Sequence, residues 1–285
     1  MPARRVLTLA LQPYDRTQPL INGTVSIPDV YVISTPPRTS VEGVVNGSFD
    51  IGEMPLARYL FLREQGEPFT AIPVFPDRLF VQQYVFTRPD TGIKELADLK
   101  GKKVMVSGYF ITASFWHRAM LAEQGVAPQD IDWYTFYPER DARMKPPADV
   151  KTTFMSAEQL GVSRLLDGSV DALMLEATPP ITREQSSQIV RVNQNVASVQ
   201  REWYEKNRFH IAVHIIAIRQ AVVDERPEII DELCRGFDQA KQQTYTLLQN
   251  ERYISLPFMR TYVDEARELF GDDPWAYGYL SLIHI

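Results

Sequence analysis

Four polar loops in this chain each follow a short apolar run and lead into a helical pattern, and each carries side chains fit for anion or proton chemistry. They read Pro13-Tyr14-Asp15-Arg16-Thr17, Gly52-Glu53-Met54-Pro55, Ser107-Gly108-Tyr109-Phe110-Ile111-Thr112 and Glu176-Ala177-Thr178-Pro179-Pro180. Strand carboxyl ends that meet helix amino ends are where open α/β sheets bind ligands, and free helix N–H groups favour anions. Arg16 and Arg78 are the candidates for gripping a carboxylate, because guanidinium offers a two-pronged donor. Asp15 and Thr17 flank Arg16 and join it as binding candidates. The bland reading makes both arginines structural, Arg16 tied to its neighbours beside Asp15 and Arg78 paired with Asp77. The helix opening near Thr112, with the hydroxyls of Ser107, Tyr109 and Thr112, is a second anion site, although Thr112 as a plain helix cap explains the same residue type. Glu53 and His214 are the proton-transfer candidates. A carboxylate facing a closed cleft is expected to have a raised pKa, while a lone histidine in an apolar run is equally a satisfied core residue.

These loops need elements to hold them. Residues 6–11, 30–34, 49–52, 103–107, 131–137 and 171–175 read as strands. Residues 40–46, 55–65, 93–99, 112–124, 157–167, 227–249 and 262–270 read as helices, with Gly125 and Gly168 as left-handed stops. Two apolar runs, 79–86 and 211–218, read as buried strands at the junctions between an outer and an inner α/β series. The expected division is 1–85 for the first part of lobe 1, 86–210 for lobe 2, and 211–285 for the return to lobe 1. That is the layout of an α/β, two-lobed periplasmic-binding-protein type II-like fold, with two crossing strands and a ligand in the interlobe cleft. A single α/β barrel competes, but it requires eight regular strand–helix pairs, and the Pro-rich stretch 138–150 breaks that rhythm.

Composition narrows the partners. A chain of 285 residues suits two cores, and 45% hydrophobic with 23% charged residues is ordinary soluble composition. A formal net charge of −6 gives no reason to expect nucleic acid or an anionic membrane surface. The single cysteine, Cys234, excludes an internal disulfide and a cysteine-cluster metal site, and reads as a small buried hydrophobe. His210 and His214 lie four apart, on one face if both are in a strand, but no third ligand is identifiable, so no metal is expected. His117 and His210 read as structural or solvent-facing. The apolar stretch 6–11 is too short for a secretory signal and no run reaches a membrane span, so the expected location is the cytoplasm. Residues 280–285 read as a truncation scar or read-through of foreign sequence, and His284 receives no weight.

The segments 9–17, 49–60, 71–80 and 99–104, then Tyr109 with Thr112, Ala113 and Trp116, His214 with Ile218 and Arg219, and 273–278 together resemble the 4,5-dihydroxyphthalate decarboxylase family. The resemblance implies the two-lobed fold, a cytoplasmic enzyme, and loss of CO2 from an aromatic dicarboxylate. It also raises His214 as a site residue. Departures concentrate in the second lobe: Gly108 where the family tends to be acidic, residues 136–140 in place of a Gly- and Glu-rich segment, and a loop after Leu175 that keeps only Pro179-Pro180, with Glu176 in front, where the family tends to carry Arg and paired prolines.

Such a reaction would otherwise leave an aryl anion. A hydroxyl para to the departing carboxylate solves this by pushing electrons onto that carbon, so the site needs a base or acceptor at the phenol, an acid at the ring carbon and a cation for the retained carboxylate. No metal or organic cofactor is required. Tyr14, Tyr59, Tyr109, Trp116 and Phe75 are available to sandwich a ring, and Tyr109 is the one taken as a site residue. The expected partner is a small aromatic carboxylate, and a homo-oligomer stays open. The competing function is a binding protein that delivers a small carboxylate to an ABC importer, since fold does not fix function. A menaquinone-pathway enzyme on the same fold also stays open, whereas pyrimidine-precursor enzymes of this fold carry a cysteine-rich motif that Cys234 alone cannot supply.

Overall fold

A computed structural model of the chain describes residues 5–139 and 141–278. The expectations that fall on 280–285, on His284 and on Arg140 lie outside the described residues. The chain divides into two compact units, one formed by the chain up to Arg78 and from Ala212 onward, the other by Leu79–Ile211. The sequence reading sets these changeovers at 85/86 and 210/211.

In chain order, unit 1 begins with β1 (Leu7–Leu11), α1 (Gln18–Ile21), β2 (Val30–Ser34), α2 (Pro37–Asn46), β3 (Ile51–Pro55), α3 (Leu56–Glu64) and β4 (Phe69–Ile72). Unit 2 holds β5 (Val85–Thr87), β6 (Lys103–Val106), α4 (Thr112–Glu123), β7 (Asp132–Thr135), β8 (Thr152–Phe154), α5 (Val162–Leu166), β9 (Ala172–Met174), β10 (Val190–Arg191) and α6 (Val196–Asn207). The return to unit 1 supplies β11 (His214–Arg219), α7 (Gln220–Glu225), α8 (Ile229–Leu248) and α9 (Met259–Phe270).

The unit 1 sheet runs β2-β1-β3-β11-β4, with β1 parallel to both neighbours and β11 antiparallel to β3 and β4. Leu9, Ala10 and Leu11 are all buried, as a parallel strand covered on both faces requires. On one face Leu9, Leu11, Ile51, Ile216 and Ile218 pack against Ile229, Leu233, Phe237 and Ala240 of α8, whose spacing is that of one helical stripe. On the other face α2 lies so close to β3 that a Cβ on Gly52 would stand 2.6 Å from Val44 Cγ2 and 2.8 Å from Ser40 Oγ. Because β1 has β2 on one side and β3 on the other, the carboxyl ends of β1 and β3 border a topological switch point.

The unit 2 sheet runs β10-β5-β9-β6-β7-β8, with β6 parallel to β7 and β9, and β5 antiparallel to β9 and β10. Alternation along β6 sends Val104 and Val106 into one core with Leu121 and Trp133, and Met105 into another with Leu165 and Leu173. The carboxyl end of β6 is this unit's switch point. Gly125 and Gly168 take the left-handed conformations expected of helix stops, with φ of 73° and 79°.

Several elements differ from the sequence reading. The run 79–86 is not one strand: Val81–Tyr84 forms a 3-10 turn before the short β5. A short apolar run satisfies a buried turn as well as a buried strand, and Val81 and Val85 are both fully buried here. The third strand lies at Ile51–Pro55 rather than 49–52, so Glu53 is inside a strand and not in a loop before a helix. The expected helix 157–167 is broken, because Gln159, Leu160 and Gly161 all adopt positive φ and only Val162–Leu166 is α-helical. A Cβ on Gly161 would meet Leu173 and Met105 at 2.9 Å, so the chain bends where it touches the sheet. Residues 93–99 yield only a 3-10 turn at Leu96–Leu99. Neither sheet is a closed barrel. Among the described residues no helix is long and apolar enough to cross a membrane.

Candidate functional site

Glu53 is the centre of the unit 1 switch point, with its side chain 1% exposed. Its carboxylate accepts from the Gln12 backbone N–H at 3.1 Å, Gln12 Nε2 at 2.8 Å, the Tyr14 hydroxyl at 2.8 Å and His214 Nδ1 at 2.5 Å. The loop that brings Gln12 and Tyr14 over it is stitched by Thr17, whose hydroxyl accepts from Tyr14 N–H at 2.9 Å and donates to the Gln12 carbonyl at 2.5 Å. Thr17 is fully buried and acts on the loop.

Burial by itself pushes the Glu53 carboxyl up, but the hydrogen bond and charge of His214, the Tyr14 hydroxyl and the Gln12 N–H outweigh it and hold the group below its ordinary value. The sequence expectation of a raised value is corrected here: burial argues for the acid, and the donors that bury it argue more strongly for the anion. Burial first, then the charges of Glu53 and Asp77, push the Tyr14 hydroxyl far above its usual range.

His214 opens β11 and is 12% exposed. With Glu53 accepting at Nδ1, that nitrogen carries a proton whether the ring is neutral or charged. Asp77 Oδ2 stands 3.8 Å from the same Nδ1, and the Asp77 carbonyl accepts the N–H groups of Val213 and His214 at 2.9 and 3.2 Å, which sets the two side by side. Burial raises the Asp77 carboxyl, Glu53 adds to this, and His214 and Arg16 only partly offset it.

Arg16 is 14% exposed and held on three sides. Nε donates to the Pro76 carbonyl at 2.6 Å, Nη1 to Asp15 at 3.0 Å, and the guanidinium lies 4.4 Å from the Tyr14 ring centre and 3.9 Å from that of Trp275. Nη2 has no protein hydrogen-bond partner among the described residues. Trp275 is itself fixed: its indole N–H donates to the Phe75 carbonyl at 3.0 Å and its backbone N–H to the Tyr245 hydroxyl at 2.8 Å. Asp273 ties the same segment to Tyr245 at 2.7 Å and to the buried Lys241 at 2.5 Å. Asp15 is exposed. Arg78 is buried and donates to the Ala276 carbonyl at 2.7 Å, and burial lowers it to about 10.

In unit 2, Ser107 is fully buried and its hydroxyl lies 2.8 and 2.6 Å from the two carboxylate oxygens of Glu176. Burial pushes the Glu176 carboxyl up against the opposing pull of Ser107. The N–H groups of Tyr109 and Phe110, ahead of α4, are taken by Glu139 Oε1 at 2.8 and 3.4 Å. The anion place expected there is thus filled by the chain's own carboxylate. Thr112 is not the helix cap: Ile111 is, without a side-chain cap, and Thr112 is the buried first helical residue. The Tyr109 ring belongs to the core, with the Arg118 guanidinium 4.0 Å from its centre and Trp133 edge-on at 6.0 Å.

The remaining histidines separate. His210 stacks on Phe80 at 4.5 Å within unit 2 and lies outside β11, so it shares no strand face with His214. His117 is fully buried against the Val81 carbonyl, and burial lowers it to about 4. Burial raises the Cys234 thiol, which packs on the unit 1 core.

The structure therefore gathers Arg16, Thr17, Glu53 and His214 in unit 1, with Gln12, Tyr14, Asp77 and Trp275 beside them. The sequence reading does not place Gln12, Tyr14, Asp77 or Trp275 among the site residues. Their signal was membership of the resemblance blocks.

The comparisons agree with that signal. A protein of Comamonas testosteroni described as 4,5-dihydroxyphthalate decarboxylase is 30% identical over 292 residues, covering 98% of this chain and 88% of that protein. The chain belongs to the 4,5-dihydroxyphthalate decarboxylase family. A second member, from Pseudomonas putida, is 29% identical over 208 residues, covering 70% of this chain and 81% of its own. Residues 22–188 match the family model described as ABC transporter, phosphonate, periplasmic substrate-binding protein, so this decarboxylase-family chain is also a member of that wider group.

Among solved structures, the periplasmic aliphatic sulphonate binding protein SsuA from Escherichia coli aligns with TM-score 0.54 at 15% identity, covering 92% of this chain and 84% of that one. A protein of Archaeoglobus fulgidus aligns with TM-score 0.56 at 15% identity, covering 98% and 94%. These likenesses show the two-lobed periplasmic-binding-protein type II-like α/β fold. Of the blocks that carry the decarboxylase-family resemblance, 9–17, 49–60, 71–80 up to Arg78, His214 and 273–278 build the unit 1 cluster, while 99–104, Tyr109, Thr112, Ala113 and Trp116 lie in unit 2 together with the departures at 108, 139 and 176.

Proposed function

We propose that the chain is a carboxy-lyase that converts a hydroxylated aromatic dicarboxylate, 4,5-dihydroxyphthalate, to 3,4-dihydroxybenzoate and CO2. The observation that carries this reading is the convergence at one switch point of a preorganised guanidinium and a carboxylate–imidazole pair, built by segments that carry the resemblance to decarboxylases. Arg16, stacked between Tyr14 and Trp275, offers Nη2 to the carboxylate that is retained. His214 Nε2 takes the proton of the ring hydroxyl para to the leaving carboxylate. Glu53, kept anionic by Gln12 and Tyr14, orients the imidazole and stabilises its charged form. Electron density then moves from the phenolate to the carbon that loses CO2.

Incubation of the purified chain with 4,5-dihydroxyphthalate tests this, with CO2 and 3,4-dihydroxybenzoate expected in equal amounts. Binding without product would favour the competing role, delivery of a small carboxylate to an importer, which the wider binding-protein family supports. A cytoplasmic location accompanies the enzyme reading, and cell fractionation checks it.

A further inference from the structure

Two carboxylates attend one imidazole in unit 1, and they are built differently. Glu53 is closed, with its oxygens occupied by Gln12, Tyr14 and His214 and its side chain 1% exposed. The Asp77 side chain has no hydrogen-bond partner among the described residues, keeps 27% exposure, and stands 3.8 Å from His214 Nδ1. A carboxylate can accept about four hydrogen bonds, so one held in a mostly buried place without a donor is better satisfied as the neutral acid, with its O–H turned toward a ligand.

We propose that Asp77 is the acid that protonates the ring carbon from which CO2 departs, a role that rests on the decarboxylase reading. The charged and titratable groups around it are His214 from β11, Glu53 from β3, and Arg16 and Tyr14 from the loop after β1. Burial and the Glu53 charge favour its protonated form, while the donors around Glu53 favour the anion there. Neighbouring carboxyls pushed in opposite directions mark a division between acid and anion.

The step balances. His214 takes the phenol proton. The Asp77 O–H bond then breaks as a C–H bond forms at the carboxylate-bearing carbon, and the ring becomes a dienone. The C–C bond to the carboxylate breaks, its electron pair restores the aromatic ring as phenolate, and CO2 leaves. His214 returns its proton to the phenolate oxygen, and Asp77 regains one from water.

The test compares Asp77→Asn and Asp77→Glu with the unaltered chain, measuring kcat against pH for 4,5-dihydroxyphthalate and binding of phthalate by calorimetry. Asp77→Asn is expected to lower kcat by about 100-fold or more, with phthalate Kd within about threefold. Because the acid must carry its proton, activity falls as pH rises through its pKa, and Asp77→Glu restores part of kcat while moving that alkaline limb. An Asp77→Asn enzyme with kcat within about threefold of the unaltered chain overturns the proposal, as does an unmoved limb in Asp77→Glu, which decides the matter even where the Asn variant does not fold. An unaltered chain that releases no CO2 instead removes the decarboxylase reading itself, and this role with it.

Discussion

The two units solve the same topological problem and differ in which donors they leave over. Each sheet has a parallel set whose middle strand, β1 or β6, has neighbours on both sides, and each adds an antiparallel strand, β11 or β5, that begins a few residues after a changeover. Each places polar side chains at the carboxyl end of that middle strand. In unit 1 the chain surrounds its own carboxylate, Glu53, with donors, and leaves Arg16 Nη2 unused. In unit 2 the chain spends donors on its own carboxylates: Glu139 covers the N–H groups ahead of α4, and Ser107 donates to Glu176. A switch point therefore supplies a location, and the local balance of donors and acceptors decides whether a ligand anion is welcome there.

The largest effect is expected where that contrast is broken outright. Arg16→Ala should weaken phthalate binding by about 2–5 kcal/mol, read by calorimetry, because a mostly buried guanidinium is removed from a ligand charge. Unchanged affinity would mean that unit 1 does not receive the carboxylate.

A smaller effect sharpens the contrast through pH. His117 in unit 2 titrates at about 4 when folded against an ordinary 6.5. Between these values the unfolded state binds the extra proton, so stability is present above about 6.5 and is lost as pH falls toward 4. Glu53 in unit 1 lies below its ordinary 4.5, so its contribution is present above 4.5 and is lost only as pH falls further, through the folded value. On acidification from neutral to pH 5, hydrogen exchange should loosen unit 2 first, by about 2 kcal/mol, and His117→Gln should remove most of that slope. Simultaneous loosening of both units in the unaltered chain would contradict the assignment.

The smallest effect concerns Asp15, which is 58% exposed beside Arg16. Asp15→Ala should change stability by at most about 1 kcal/mol and slightly tighten phthalate binding, because it frees Nη1. A loss of several kcal/mol in urea unfolding would show that this exposed pair holds the loop.

Legibility from sequence was uneven, for identifiable reasons. β2 and the helices α4 and α8 were readable within a few residues, because alternation and the 3.6-residue stripe are local properties of side-chain type. Glu53 was read as preceding a helix because Pro55 resembles a helix start, and the pairing with β11 that extends β3 over Glu53 comes from a strand far along the chain. Helix 157–167 failed at Leu160, whose φ of 54° comes from the bend at Gly161 against the sheet. The helix Val196–Asn207 was not read at all, and it has no buried residue to mark a stripe. Asp77 looked like half of an ion pair with Arg78 in a Pro-rich turn, and nothing in that tripeptide reveals that its neighbour in space is His214.

By itself, the sequence determined the α/β class, the polar loops after apolar runs, and the resemblance blocks that tie the chain to its family, because these depend on residue type and spacing alone. Only the tertiary structure decided which carboxylate is saturated and which is open, because that depends on donors brought from 41, 39 and 161 residues away to Glu53. It likewise decided that Arg16 is caged by Trp275 and that Glu139 fills its own helix entrance. Hydrogen-bond satisfaction and burial are properties of neighbours in space, and these set the pKa directions from which acid and anion roles follow.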